Sequence, residues 1–329
     1  MNVLKPFANL WKKWLKRMHN KGAFVTASEL ADYLHCSCTG DKNKKIYGIS
    51  LIRDCNEDTL TLVPERKSNV ISEMNAGVIF TRSFLGLPIN KNYILCRDNP
   101  YNHLAEIIDF MIIKGIYSDS RNDPEIAEHT ILENGVVLGK NVSVGKGCYI
   151  GANTVIGNDT IIDDNVRIGS CCSIGTENFE YEKKINGWEK VPVVGNVHIH
   201  SNVIIGGNVV VEKGTIGTTR ICSGTQIENL VQVGHECIVG ENCHIAACTA
   251  LAGWAEIGCH VDIYGQAAVS NNVKVGNNCI LLARAGIDKN VAENSVMWGS
   301  PAQEHKTELR YRAYLKRLFR DNKKGCELK

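Results

Sequence analysis

One aliphatic side chain recurs at every sixth position along much of this chain, a period that belongs to neither an α-helix nor a simple amphipathic strand. Ile126, Leu132, Leu138, Val144, Ile150, Ile156, Ile162, Ile168 and Ile174 follow one another without a miss, and Gly139, Gly145, Gly151, Gly157, Gly169 and Gly175 directly follow six of them. The register breaks, resumes through Val193, Ile199, Ile205 and Val211, breaks again, and then runs from Ile221 to Ile287 in steps of six. Such a period fits short strands joined by turns, each repeat sending one aliphatic group into a shared interior. Glycine and Asn or Asp are expected to supply the unusual turn conformations. Three repeats close a triangular coil, so these positions predict about eight coils and a prism roughly 38 Å long at the usual strand spacing.

The two interruptions carry most of the functional interest. Residues 175–192 form an excursion rich in aromatic and charged groups, including Phe179, Tyr181, Trp188 and Lys190, and a shorter one contains Lys213, Gly214 and Thr218. A loop thrown out of a rigid scaffold is a natural place to grip a ligand. The same aromatics are equally suited to packing the loop onto a neighbouring coil.

The remaining segments lack the period. Residues 22–118 read as a small α+β domain: Thr26 and Glu29 form a capping box opening a helix, Ala76–Phe80 and Tyr93–Cys96 read as strands, and Asn102–Met111 reads as a second helix. The solenoid is expected over 119–296. Residues 297–329 form a helical extension whose segment Glu304–Arg320 carries Lys306, Arg310, Arg312, Lys316, Arg317 and Arg320. A solvated helix face explains that charge, and so does an acidic protein partner. Residues 1–21 read as a basic amphipathic helix, with Phe7, Trp11 and Trp14 on one face, suited to a membrane surface or to the protein's own.

Composition narrows the setting. A net charge of +2 on 329 residues gives no general drive towards nucleic acid, and no apolar run is long enough to cross a bilayer. Of the 14 cysteines, Cys148, Cys172, Cys237, Cys243 and Cys279 each sit two residues before a repeat aliphatic, a slot for a small side chain. They are expected to be reduced and packed, and the protein cytoplasmic.

Two stretches carry a family resemblance: Phe179-Glu-Tyr181 with Gly187-Trp188-Glu-Lys190-Val-Pro192, and Gln226-Ile-Glu-Asn229-Leu-Val-Gln-Val-Gly-His235-Glu-Cys237. With the order of parts from about Phe24 to Phe319, they resemble the UDP-3-O-acylglucosamine N-acyltransferase family of lipid A biosynthesis. The resemblance implies a mainly β fold, a left-handed parallel β-helix with a small N-terminal α+β domain and a C-terminal helix, assembled as a homotrimer. It implies transfer of an acyl group from an acyl carrier protein or coenzyme A thioester to the amino group of a nucleotide-activated amino sugar, with no metal or redox cofactor. His235 matches the general base, a role an imidazole suits near neutral pH. Gly253, 18 residues on, matches the backbone N–H that serves the oxyanion. Asn229 matches a polar position that binds the sugar or orients the base, while Phe179, Tyr181, Trp188 and Lys190 match the substrate loop. Asn272 stands where the family usually has a second histidine, and is expected near substrate. The family's uracil-stacking segment corresponds to Leu60–Ser68, without either aromatic, Leu62 and Ser68 among its residues. His198, His200, His244 and His260 have no such context. Two rival readings remain: an acetyl-coenzyme A-dependent nucleotide-sugar acetyltransferase for surface polysaccharide, and an inactive sugar-nucleotide-binding scaffold.

Overall fold

The computed structural model of the chain describes residues 22–83, 86–117, 122–184 and 186–326. The basic segment 1–21 lies outside them. The chain divides into two compact units. One contains the described residues up to Asp123 together with Glu177–Asn196 and Gly214–Gly217, and the other contains Pro124–Thr176, Val197–Lys213 and the chain from Thr218 onward.

The second unit is the solenoid. Its strands, most of them two residues long, stack into three parallel sheets with eight coil strands in each, so that Val233 pairs with Leu251 and Leu251 with Val269. Twenty-four coil strands make eight coils, as the period requires. Val193 takes no part. The register resumes at Ile199, whose strand Asn196–Ile199 pairs directly with Ile161–Ile162 and bypasses the excursion. The repeat aliphatics are almost fully buried in one continuous core: Ile150, Ile156, Ile174, Val211, Val233, Ile245, Leu251 and Leu281 show at most 0 % exposure. A two-residue strand has no independent stability, so its neighbours along the axis hold it in place.

The turns divide their labour in a way the sequence did not reveal. Positive φ falls on the third residue after the aliphatic, where Asn141, Asn153, Asn165, Asn202, Asn208, Asn242 and Asn278 sit at +53 to +62°; asparagine tolerates that region well. The glycines directly after the aliphatics mostly serve close approach. A Cβ on Gly151 would lie 2.7 Å from the Gly169 carbonyl carbon.

The cysteine slot also proves more specific than a small apolar site. All five of those cysteines are buried and free. Each donates its S–H to a main-chain carbonyl, as in Cys237 to Ala252 at 3.1 Å and Cys243 to Gly258 at 3.0 Å. Thr154 and Thr225 occupy the same slot in other coils and bond Gly169 and Gly240 in the same way. The slot selects a small side chain that can donate.

In the first unit a five-stranded sheet runs in the order Ser37–Thr39, Tyr93–Cys96, Val78–Arg82, Thr59–Val63, Gly48–Ser50, with only the first pairing antiparallel. Helix Ala27–Tyr33 opens on the expected capping box, with the Glu29 N–H donating to Thr26 Oγ1 and the Thr26 N–H to Glu29 Oε2. Tyr33 stacks on Phe110 of helix Leu104–Ile113, with centroids 4.3 Å apart. Leu30, Ile49, Leu60, Ile79, Phe80, Ile94 and Ile108 form its interior.

Within this unit the major excursion is a hairpin, Tyr181–Lys184 against Gly187–Lys190. The minor break is bonded to it: Asn178 Nδ2 donates to Thr215 Oγ1 at 2.7 Å and the Val194 N–H to the Thr215 carbonyl at 2.8 Å. The two breaks in the period are therefore one local structure. Helix His305–Cys326 closes the chain, with Arg312 over the Trp298 ring at 4.2 Å.

Candidate active site

A recurrent bond in the solenoid frames the site. At four places in the solenoid the side chain two residues after the aliphatic accepts a hydrogen bond from the main-chain N–H at the same place one coil earlier. Asn158 caps Lys140, Asp164 caps Lys146, Asn229 caps Gly207 and Asn277 caps Cys259, all at 2.6–2.8 Å. His235 and Gly253 occupy this place in successive coils, because 18 residues make one full turn. Gly253 has no side chain with which to cap His235, so the His235 N–H turns to Glu212 Oε2 at 3.3 Å. Asn271, next in the column, does not cap Gly253. Gly253 is buried, and among the described residues its N–H has no acceptor. A buried amide left without a protein acceptor is costly unless water or a bound group satisfies it, which makes this N–H available to a substrate oxygen.

The imidazole fills the space that glycine leaves. A Cβ on Gly253 would overlap His235 Nε2 and lie 2.8 Å from Cδ2 and from Cε1. The other ring nitrogen is occupied: Nδ1 lies 2.5 Å from Glu236 Oε2, and Glu236 is fully buried. A carboxylate on Nδ1 fixes the neutral ring with its proton there, leaving Nε2 as a base. Trp254 meets the ring edge-on, centroids 6.3 Å apart, and the Trp254 main-chain N–H donates to the His235 carbonyl. Burial raises the Glu212 carboxyl above its ordinary range, against the pull of His235.

Glu236 is the residue that sequence reasoning passed over. It has φ +53°, in a place that asparagine usually fills. A glutamate there, beside a histidine, was the available signal.

Asn229 is exposed and commits its side-chain oxygen to Gly207. Asn272 is exposed in the column of Glu236 and Trp254, one coil beyond Trp254, and its N–H donates to the Gly253 carbonyl at 3.2 Å. Phe179, Tyr181, Trp188 and Lys190 share the hairpin region. Phe179 and Trp188 are 83 % and 69 % exposed, the Phe179 and Tyr181 rings are 4.7 Å apart, and Lys190 pairs with Glu177. Leu60 and Leu62 are buried in the inner strand Thr59–Val63, so neither is placed to stack on a base, while Ser68 is half-buried in the 3-10 segment after it. Beside that segment opens a cleft of about 650 Å³ lined by Arg66, Arg82, Asp98, Asn99 and Tyr101 among others.

Residues 123–158 and 218–253 match the family model for bacterial transferase hexapeptide repeats. A UDP-3-O-acylglucosamine N-acyltransferase of Campylobacter lari is 31% identical over 315 residues, covering 89% of this chain and 98% of the relative. One from Campylobacter concisus is 32% identical over 320 residues, covering 90% and 99%. The chain belongs to the UDP-3-O-acylglucosamine N-acyltransferase family. The crystal structure of a Francisella novicida UDP-N-acetylglucosamine acyltransferase, 24% identical, superposes with a TM-score of 0.51 over 58% of this chain and 70% of that one. The fold is thus the left-handed parallel β-helix of these transferases. As an N-acyltransferase family member the protein is an enzyme of acyl transfer. Among the described residues no helix is long and apolar enough to cross a membrane.

Proposed function

We propose that this N-acyltransferase family member moves an acyl group from a carrier-protein thioester to the amino group of a UDP-linked 3-O-acylated amino sugar. The observation that carries the proposal is the pairing of a carboxylate-held imidazole with the uncapped Gly253 N–H on the next coil. As the sugar nitrogen attacks the thioester carbonyl, Nε2 of His235 takes the proton it sheds. The Gly253 N–H, already desolvated and fixed, receives the negative charge that develops on the carbonyl oxygen. Collapse breaks the C–S bond, and the imidazolium returns the proton to the departing thiolate. The carboxylate of Glu236 holds the ring through both transfers.

Phe179, Tyr181, Trp188 and Lys190 engage the acceptor. The exposure of Phe179 and Trp188 supports this, because their stacking area is not spent on packing. The nucleotide end enters the cleft bounded by Arg66 and Tyr101, whose planar groups replace the missing pair of aromatics. Exposed Lys306, Arg310, Arg312, Lys316, Arg317 and Arg320 on the C-terminal helix complement an acidic acyl carrier protein. The enzyme works as a homotrimer in the cytoplasm, with the basic segment 1–20 meeting the membrane surface.

The test is a panel of UDP-, dTDP- and GDP-linked amino sugars offered with acyl carrier protein or acetyl-coenzyme A donors, read by mass spectrometry. The proposal expects an acylated UDP-sugar only with the carrier-protein donor, and no product from His235→Ala. Acetyl transfer alone, or equal turnover by the variant, would overturn it.

A further inference from the structure

At the corner where the chain returns from its major excursion, three ligand-bearing side chains converge that are remote from His235 in the sequence. The position directly after the repeat aliphatic holds glycine in Gly145, Gly240 and Gly258, yet two successive members of this column are Asp163 and His200. His198 lies on the strand leading to His200 and pairs with Ile161. Its Nε2 is 3.0 Å from Asp163 Oδ1, and His200 Nδ1 is 3.4 Å from Asp163 Oδ2. The two rings stack with centroids 4.0 Å apart at 29°. One ligand atom from each residue can be chosen so that all three lie within 4.8 Å of one another. His198 and His200 are 5 % and 9 % exposed.

We propose that Asp163, His198 and His200 form a site for a divalent transition-metal ion of the zinc or cobalt class. His198 on the strand and His200 just after it bring two imidazoles together, and a carboxylate from the preceding coil faces both. Two nitrogen donors, one oxygen donor and an open position for water make the ligand set that zinc accepts. Hard ions such as magnesium and calcium depend on several oxygen ligands, which this site lacks. The ion clamps the coil of Asp163 to the coil of His198, the strand on which the solenoid resumes after the excursion. This clamp is independent of the acyl-transfer reading, since none of its residues belongs to the His235 column.

The test uses the full chain without an affinity tag, stripped with a chelator and titrated with cobalt chloride, followed by visible d–d absorption, then competed with zinc chloride. The expected result is one equivalent of Co²⁺ displaced by Zn²⁺ and unaffected by Mg²⁺. Asp163→Asn and His200→Gln should each weaken binding by about tenfold or more while circular dichroism stays unchanged. Zinc should also raise the Tm of the parent chain and of neither variant. Absence of binding, equal binding by the variants, or a thiolate-to-cobalt charge-transfer band would overturn the proposal, the last by assigning the ion to the cysteines.

Discussion

Gly253 lies so close beneath the His235 ring that its missing side chain is the space the imidazole occupies. One glycine therefore does two things. It admits the ring, and by offering no side chain to cap His235 it leaves the His235 N–H to Glu212. Adding a methyl group displaces Nε2 and narrows the approach to the uncapped N–H. Gly253→Ala should lower kcat by about 10²- to 10³-fold, the scale of a lost oxyanion donor, with little change in KM for the sugar. Steady-state kinetics on a variant with unaltered circular dichroism checks this.

Replacing Glu236 by glutamine keeps the shape and removes the acceptor. An amide presenting its NH₂ to Nδ1 favours the tautomer protonated on Nε2, which cannot take a proton. Glu236→Gln should lower kcat by roughly 10²-fold or more. Activity within threefold of the parent would show that the ring needs no carboxylate.

Trp188 contributes little to stability, being 69 % exposed. If it grips the acceptor, Trp188→Ala should raise KM for the nucleotide sugar by about tenfold, as loss of an aromatic anchor costs about 1.4 kcal/mol. The melting temperature should hold. A variant with unchanged KM would assign this ring no part in binding.

The slot of Cys243 accepts threonine elsewhere in the same solenoid, with the same bond to a carbonyl of the following coil. Cys243→Thr should stay within about 1 kcal/mol of the parent in urea unfolding, as one hydrogen bond replaces another. Cys243→Leu overfills the slot and should cost about 1–3 kcal/mol.

Glu212 supplies the pH dependence. Its carboxyl is raised in the folded protein, chiefly by burial. The folded state then holds this proton more tightly than the unfolded chain, so the group's contribution to stability falls as pH rises through and above the ordinary glutamate range. Glu212→Gln, which keeps an oxygen for the His235 N–H, should melt higher than the parent at pH 8. The difference should shrink towards pH 4. A constant difference across that range would show that the carboxyl does not titrate differently on folding.

The solenoid was legible because its physics is local and repeated: one aliphatic every six residues names the interior ladder without knowledge of anything distant. The same regularity misled at Val193, whose spacing from Ile199 fits the period although the chain there is still in the excursion. Motif similarity pointed to His235 and Gly253, but that the imidazole lies against Gly253 appears only when successive coils are stacked. Glu236 was hidden because the turn place it fills is usually read as filler. Asp163 was hidden for a different reason. Its partners follow an excursion, so the spacing of a local metal motif could not connect them, and the sequence expected no metal.

The strand Asn196–Ile199 joins Ile161–Ile162 as if the intervening hairpin were absent. The barrel's registry is thus blind to how much chain is spliced in at that corner. The excursion, proposed above to grip the acceptor, can be lengthened, shortened or exchanged there while the ladder beneath His235 keeps its alignment. A scaffold of this kind separates the evolution of selectivity from that of chemistry, and grafting a relative's hairpin between Thr176 and Val197 is the natural route to a new acceptor.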